Sequence, residues 1–231
     1  MKSLCVIPAR GGSKRIPGKN IRDFCGKPII AWSIEAAQKA DCFERIVVST
    51  DDEAIATIAR KWGAEVPFMR PPELSDDMTG TTPVVAHAIA KVEQQDGPYD
   101  AACCIYATAP FIRQQDLLTG RKRIESGSLF AFPVTDFPAP IFRSFRVLPD
   151  GGVEMFFPEH FTSRSQDLET AYHDAGQFYW GATDAWKAGQ PLFGPHSAAM
   201  TVPRRIVQDI DTEEDWFIAE RMFRIQGEHA E

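Results

Sequence analysis

The chain reads as an α/β protein, with a mostly parallel central sheet flanked by helices. Two observations predict this class. Short apolar runs alternate with stretches of helical period along the sequence, the pattern of strands joined by crossover helices. In addition, 231 residues with 44% hydrophobic and 25% charged side chains describe one ordinary globular domain, large enough to bury a sizeable core. The expected organisation is a single domain over residues 1–231, with an extended arm at about 141–171.

The first strand covers residues 3–8. After a basic loop, residues 28–39 place Ile29, Ile30, Trp32, Ile34 and Ala37 at helical spacing. Residues 45–49, Arg-Ile-Val-Val-Ser, form a second strand ending in Thr50-Asp51-Asp52. Those residues can cap a helix over 52–62, whose Ile55, Ile58 and Ala59 form an apolar face. Gly63 closes it, and 65–68 reads as a short strand. A helix over 82–94, a buried strand over 101–106 and a helix over 116–126 follow, and Cys103-Cys104 fall inside the buried run.

The text then changes character. A strand over 129–134 gives way to the turn Phe137-Pro138-Ala139-Pro140 and to an aromatic, hairpin-like stretch with a tight turn at Asp150-Gly151-Gly152. Phe142, Phe145, Phe156, Phe157, Pro158 and Phe161 give it an apolar surface. It reads as a protruding arm that contacts a second copy, making a homodimer; the alternative is a lid over the substrate. A strand over 176–180, a short helix over 184–188 and a helix over 213–227 complete the chain.

Composition excludes several classes. A formal charge of −7 speaks against general nucleic-acid binding. No apolar run approaches the roughly 18 residues of a membrane span, and no signal-peptide core precedes the first strand. Five cysteines without metal-like spacing point to a reducing compartment, so the expected location is cytoplasmic.

The chemistry begins in the loop after the first strand, Ile7-Pro8-Ala9-Arg10-Gly11-Gly12-Ser13-Lys14-Arg15-Ile16-Pro17-Gly18-Lys19-Asn20. A glycine-rich turn after a strand exposes backbone N–H groups suited to a phosphate. Arg10, Lys14, Arg15 and Lys19 crowd the same loop in an acidic chain, so a strongly anionic ligand is expected. It is not a P-loop: five residues separate Gly12 from Gly18, and Asn20 follows the lysine. Gly11-Gly12 followed by Pro17 does not make the dinucleotide fingerprint either.

A second signal is Asp209-Ile210-Asp211. At the end of a strand, carboxylates at i and i+2 share a face and can share Mg²⁺. The alternative is that Asp211 caps the last helix while Asp209 is exposed.

The loop resembles the signature of sugar nucleotidyltransferases that activate acidic sugars with CTP, the acylneuraminate cytidylyltransferases. Ser49-Thr50-Asp51-Asp52, Arg70-Pro71-Pro72-Glu73-Leu74 and Thr108-Ala109-Pro110 extend the resemblance in the same order. It implies a Rossmann-like nucleotide-diphospho-sugar transferase fold. It also implies CTP and an acidic nine-carbon sugar as substrates, with neither nucleic acid nor membrane as partner. By this match Ala9, Arg10, Gly11, Gly12, Ser13, Lys19, Asn20, Arg70 and Thr82 would bind the nucleotide, with Arg70 on the cytosine. Arg10, Lys19 and Asp211 would be catalytic, and Asp209 and Asp211 would hold Mg²⁺.

One departure narrows the sugar. Where sialic-acid-activating members carry a glutamine amide, this chain has Tyr106. The segments around Arg164-Ser165-Gln166-Asp167-Leu168 and Tyr172-His173-Asp174 to Gln177-Phe178-Tyr179-Trp180 look like the branch that activates pseudaminic acid. Tyr106, Thr108, Arg164, Gln166, Tyr172, His173 and Gln177 would then bind the sugar, with Phe178 and Trp180 against its terminal methyl if they face the pocket. The expected reaction is CMP transfer from CTP to the anomeric hydroxyl, releasing pyrophosphate. Activation of N-acetylneuraminic, legionaminic or another 2-keto acid sugar is the alternative, and a non-catalytic nucleotide-binding regulator is the alternative of another class.

Overall fold

The computed structural model describes residues 1–228. β1 (Ser3–Pro8) leads through the basic loop and the short ribbon β2 (Asp23–Phe24) and β3 (Lys27–Pro28) into α1 (Ile29–Ala40). Next come β4 (Arg45–Ser49), α2 (Glu53–Lys61), α3 (Thr81–Asp96), β5 (Ala101–Ile105), α4 (Gln114–Glu125) and β6 (Phe130–Asp136). The arm carries the hairpin β7 (Phe145–Val147) and β8 (Val153–Met155). The chain returns as β9 (Tyr172–Asp174), β10 (Phe178–Ala182), α5 (Thr183–Lys187), β11 (Ser197–Thr201) and α6 (Glu213–Glu228).

The main sheet runs β11-β6-β10-β5-β1-β4, with β9 on β6. β1 is parallel to β4 and β5, and β11 is parallel to β6. β10 is antiparallel to both β5 and β6. Therefore β4, β1, β5, β6 and β11 all point one way, and the expected mostly parallel α/β fold is the observed one. β9 and β11 were not anticipated. β11 reads Ser-Ala-Ala-Met-Thr at the sheet edge, too small and polar to stand out as a strand. Residues 65–68 make only the isolated bridge Val47↔Glu65 rather than a strand.

Alternation along the strands supplies two apolar faces. Cys5, Ile7, Cys103, Ile105, Phe178 and Trp180 face the side covered by Ile30 and Ile34 of α1, Ile55 of α2 and Leu117 of α4. Leu4, Val6, Ala102, Cys104 and Tyr179 face Val85, Ile89 and Val92 of α3 and Trp186 of α5. Phe178 and Trp180 have no exposed surface; they belong to the core and cannot meet a sugar methyl. Gly120 of α4 makes room for the indole, since a Cβ there would lie 2.4 Å from Trp180. Cys103 and Cys104 are buried, as their apolar run predicts. α6 closes a third cluster in which Trp216 packs on Phe24 beside Ile16 and Ile29.

Caps set the element ends. Asp52 accepts N–H bonds from Ala54 at 2.7 Å and Ile55 at 3.1 Å, starting α2, and Gly63 leaves it at φ 88°. In the arm, Phe142 packs on Phe157 with centroids 5.5 Å apart. Phe145, Val147, Val153, Phe156 and Phe161 stay at least half exposed. Among the described residues no helix is long and apolar enough to cross a membrane.

Candidate active site

Because β1, β4 and β5 are parallel, the loops that follow them meet at one edge of the sheet, where ligands of open α/β sheets bind. There a cavity of about 500 Å³ is lined by Arg10, Ser13, Lys14, Arg15, Lys19 and Asn20 from the first loop, by Arg70, by Asp77 and Thr79–Thr81, and by Tyr106–Thr108. The basic loop is held in shape from within. Gly18 turns it at φ 63°, and Asn20 Nδ2 donates to the Arg10 carbonyl at 2.9 Å. Gly11 sits so close to α2 that a Cβ would lie 2.6 Å from Asp52 Oδ2.

The backbone of this loop is less open to an anion than its glycines suggest. The N–H groups of Ala9, Ser13 and Lys19 go to Ser49, Gly11 and Ile16 carbonyls, and Gly11 N–H goes to Asp51 Oδ1 at 3.0 Å. The positive character comes from side chains. Arg10 pairs with Asp77 at 2.6 Å and bonds the Asp76 carbonyl at 2.9 Å. Lys14 also pairs with Asp77. Arg15 and Lys19 share Asp211 at 2.8 and 3.3 Å, and Lys19 donates to the Ile210 carbonyl as well. Four cations thus share two carboxylates, leaving an excess of positive charge facing the cavity.

Arg70 lies deeper, its side chain 4% exposed and its Nη2 3.5 Å from Asp51 Oδ1. Desolvation pulls its pKa down, and Asp51 only partly opposes this. Its Nε is buried without a partner, a donor held ready in the cavity wall.

Asp209 and Asp211 do not end a strand. They follow a single turn, Arg204–Ile206, and lie in irregular chain before α6. Asp211 is not the helix cap either: Asp215 N–H bonds Thr212 Oγ1 at 3.1 Å and Thr212 N–H bonds Asp215 Oδ2 at 2.8 Å, a closed capping arrangement. Asp209 is exposed as a residue, yet protein crowding its carboxyl raises its pKa, and the neighbouring Asp211 raises it further. Two carboxylates that repel each other beside a cationic cavity fit a hard divalent cation. Among the described residues no three His, Cys, Asp or Glu side chains form a metal cage, so such an ion would draw its remaining ligands from phosphate and water.

The residues expected from the sequence divide into two groups. Arg10, Ser13, Lys19, Asn20, Arg70, Tyr106 and Thr108 line the cavity, and Asp211 touches it through Arg15 and Lys19. Ala9, Gly11 and Gly12 shape the loop without lining the cavity; Ala9 is 1% exposed. Thr82 is displaced by its neighbour: Thr81, the first residue of α3, points inward, with Oγ1 3.1 Å from the Tyr106 hydroxyl. Gln177 is buried and its Nε2 donates to the Ile206 carbonyl at 2.5 Å, tying β10 to the segment before Asp209. Arg164 and Gln166 are exposed on the arm, and Tyr172 on β9 is half exposed, all outside the cavity of their own chain. His173 bonds the Asp174 carbonyl at 2.9 Å through Nδ1 and packs on Phe137. β9 pairs antiparallel with β6, His173 opposite Thr135 and Tyr172 opposite Asp136.

Asp77 was missed by the sequence reading, since it lies 63 residues from Lys14 and nothing local marks it. Thr81 could have been found only by knowing the phase of α3.

The sequence matches the cytidylyltransferase family over residues 4–128. It is 48% identical, over the whole of both chains, to a pseudaminic acid cytidylyltransferase of Campylobacter jejuni subsp. jejuni serotype O:23/36 (strain 81-176). It is 32% identical to a CMP-N,N'-diacetyllegionaminic acid synthase of Legionella pneumophila, covering 99% of each. Among solved structures, a CMP:2-keto-3-deoxy-manno-octonic acid synthetase complexed with CTP superposes with a TM-score of 0.73 at 19% identity, covering 98% of this chain and 100% of that one, a likeness of fold.

Proposed function

This chain belongs to the cytidylyltransferase family, and on that premise we propose that it transfers CMP from CTP to the anomeric hydroxyl of pseudaminic acid, releasing pyrophosphate. The observation that carries this reading is the cationic cavity at the strand ends, in a chain 48% identical end to end to a pseudaminic acid cytidylyltransferase.

In this reading the triphosphate displaces Asp77 from Arg10 and Lys14, and those side chains with Ser13 and Lys19 receive it. Arg70 reads the base, its guanidinium fixed by Asp51. The sugar hydroxyl attacks the α-phosphorus in line, and catalysis is chiefly positioning and charge neutralisation. Arg10 and Lys19 stabilise the departing pyrophosphate. Asp209 and Asp211 are the residues that would hold a divalent metal, for which we propose Mg²⁺; when bound it supplies further neutralisation of phosphate oxygens. Tyr106 and Thr108 line the same cavity, and in this reading they meet the sugar.

The exposed apolar arm supports a homodimer, in which Phe145, Val147, Phe156 and Phe161 are covered by a second copy. Five free cysteines, four of them buried, support a reducing, cytoplasmic setting.

The test is a panel of CTP, ATP, GTP and UTP crossed with pseudaminic, N-acetylneuraminic and legionaminic acids, read by pyrophosphate release and product mass. The expected result is the highest kcat/KM for CTP with pseudaminic acid. Equal or better constants with N-acetylneuraminic acid overturn the sugar assignment, and no turnover with any pair overturns the enzyme.

A further inference from the structure

The segment that carries Asp209 and Asp211 has no strand or helix of its own to fix it. After the turn Arg204–Ile206 it runs as irregular chain. Ile206 and Ile210 are buried in the cluster closed by α6, while Asp209 and Asp211 keep part of their surface in solvent. Side chains hold the segment at three points. Lys19 donates to the Ile210 carbonyl, Asp211 N–H bonds Asp215 Oδ2 at 3.1 Å, and Gln177 Nε2 donates to the Ile206 carbonyl at 2.5 Å.

Of these, Gln177 comes from the sheet, at a corner that is itself fixed. Ala175 N–H bonds the Pro133 carbonyl of β6 at 3.0 Å, and Tyr106 N–H bonds the Gln177 carbonyl at 2.9 Å. Gly176 N–H bonds Asp174 Oδ1 at 3.0 Å. Gly176 turns at φ 62°, and a Cβ there would lie 3.9 Å from the Asp209 carboxyl. The corner between β9 and β10 therefore meets the acidic segment twice, at the Ile206 carbonyl and at Asp209.

Packing does not account for the amide. Gln177 is 3% exposed, and its Oε1 is buried without a partner. An unpaired buried acceptor is destabilising, and an apolar side chain of the same length would avoid that cost. What the amide adds is the N–H on Ile206. That contact also fixes its orientation, since the reversed amide would set oxygen against oxygen.

The geometry points to Gln177 as a positioning residue for the Asp209–Asp211 pair. Its bond to the Ile206 carbonyl sets where the chain leaves the turn, and so how the two carboxylates stand towards a shared divalent cation. This rests on the reading that the pair holds a metal. It gives Gln177 a role other than the sugar contact implied by its neighbours in sequence. Groups that orient metal ligands typically change metal affinity by about 10–100-fold when removed.

The test uses the full-length wild type, Gln177→Met and Gln177→Asn. Mn²⁺ is titrated into each with saturating CTP and no sugar, and protein-bound Mn²⁺ is read by its enhancement of water-proton relaxation over that of Mn²⁺–CTP. Mg²⁺ half-saturation, kcat and sugar KM are measured on the same preparations with pseudaminic acid. Gln177→Met keeps the length of the side chain and removes the donor. Gln177→Asn keeps the amide but is one methylene shorter, and it carries the test where Gln177→Met folds poorly. The expected result is a rise of about tenfold or more in Mn²⁺ Kd and in Mg²⁺ half-saturation, with kcat restored to within about twofold by excess Mg²⁺. Unmoved metal affinity, a loss that excess Mg²⁺ does not restore, or a rise confined to sugar KM overturns the positioning role and leaves the cytidylyltransferase reading intact. A wild type without protein-bound Mn²⁺ overturns the metal assignment and this proposal together. A wild type that forms no CMP-sugar overturns the proposed function, while Mn²⁺ binding that depends on Gln177 would still support the positioning role.

Discussion

Lys19→Met removes a charge while keeping the length and apolar stem of the side chain. Lys19 is 16% exposed, whereas Arg15, the other partner of Asp211, is 68% exposed. Screening therefore weakens the Arg15 pair more, and Lys19 carries the larger share of the contact between the first loop and the segment before α6. Losing its bonds to Asp211 and to the Ile210 carbonyl costs about 1.5–3 kcal/mol, the range for hydrogen bonds to charged groups. At roughly 2–4 °C per kcal/mol for a chain of this size, the melting midpoint should fall by about 3–12 °C, towards the lower end because Arg15 still holds Asp211. If Lys19 also meets the departing phosphates, a similar energy is lost in the transition state. At about 1.4 kcal/mol per decade, that is a tenfold to hundredfold loss in kcat/KM. Circular dichroism melting and continuous pyrophosphate release measure the two effects on one preparation. A cooperatively folded variant with turnover within twofold of wild type would refute the placement of Lys19 on the triphosphate.

Three further outcomes are expected. Activity should vanish with EDTA and return with Mg²⁺, and Asp211→Asn should lose most turnover; metal-independent turnover would show that the two carboxylates serve only the loop cations. Gly11→Ala, whose new methyl would meet Asp52 at 2.6 Å, should raise CTP KM by about tenfold or more, and Gly12→Ala, with nothing within 4 Å, should show the smaller loss; equal effects would mean that the loop yields freely at Gly11. Light scattering should give a homodimer for wild type and a monomer once residues 142–162 are replaced by a short Gly-Ser linker, and a wild type that stays monomeric at high concentration rules out the arm as an interface.

Much of this molecule was legible in its local text. The strands at Ser3–Pro8 and Arg45–Ser49, the Asp52 cap and the four-cation loop depend on neighbours a few residues away, and short-range patterns encode those. The partners of that loop do not. Arg15 meets Asp211 across 196 residues and Lys14 meets Asp77 across 63, pairings that only the folded chain makes. Parity decided other residues. Phe178 and Trp180 alternate into the core while Tyr179 faces the other way, and Thr81 rather than Thr82 reaches the cavity because of where α3 begins. A sequence shows which chemical groups are present, but strand order, helix phase and the pleat choose their neighbours, since a shift of one residue turns a side chain from a ligand to a core.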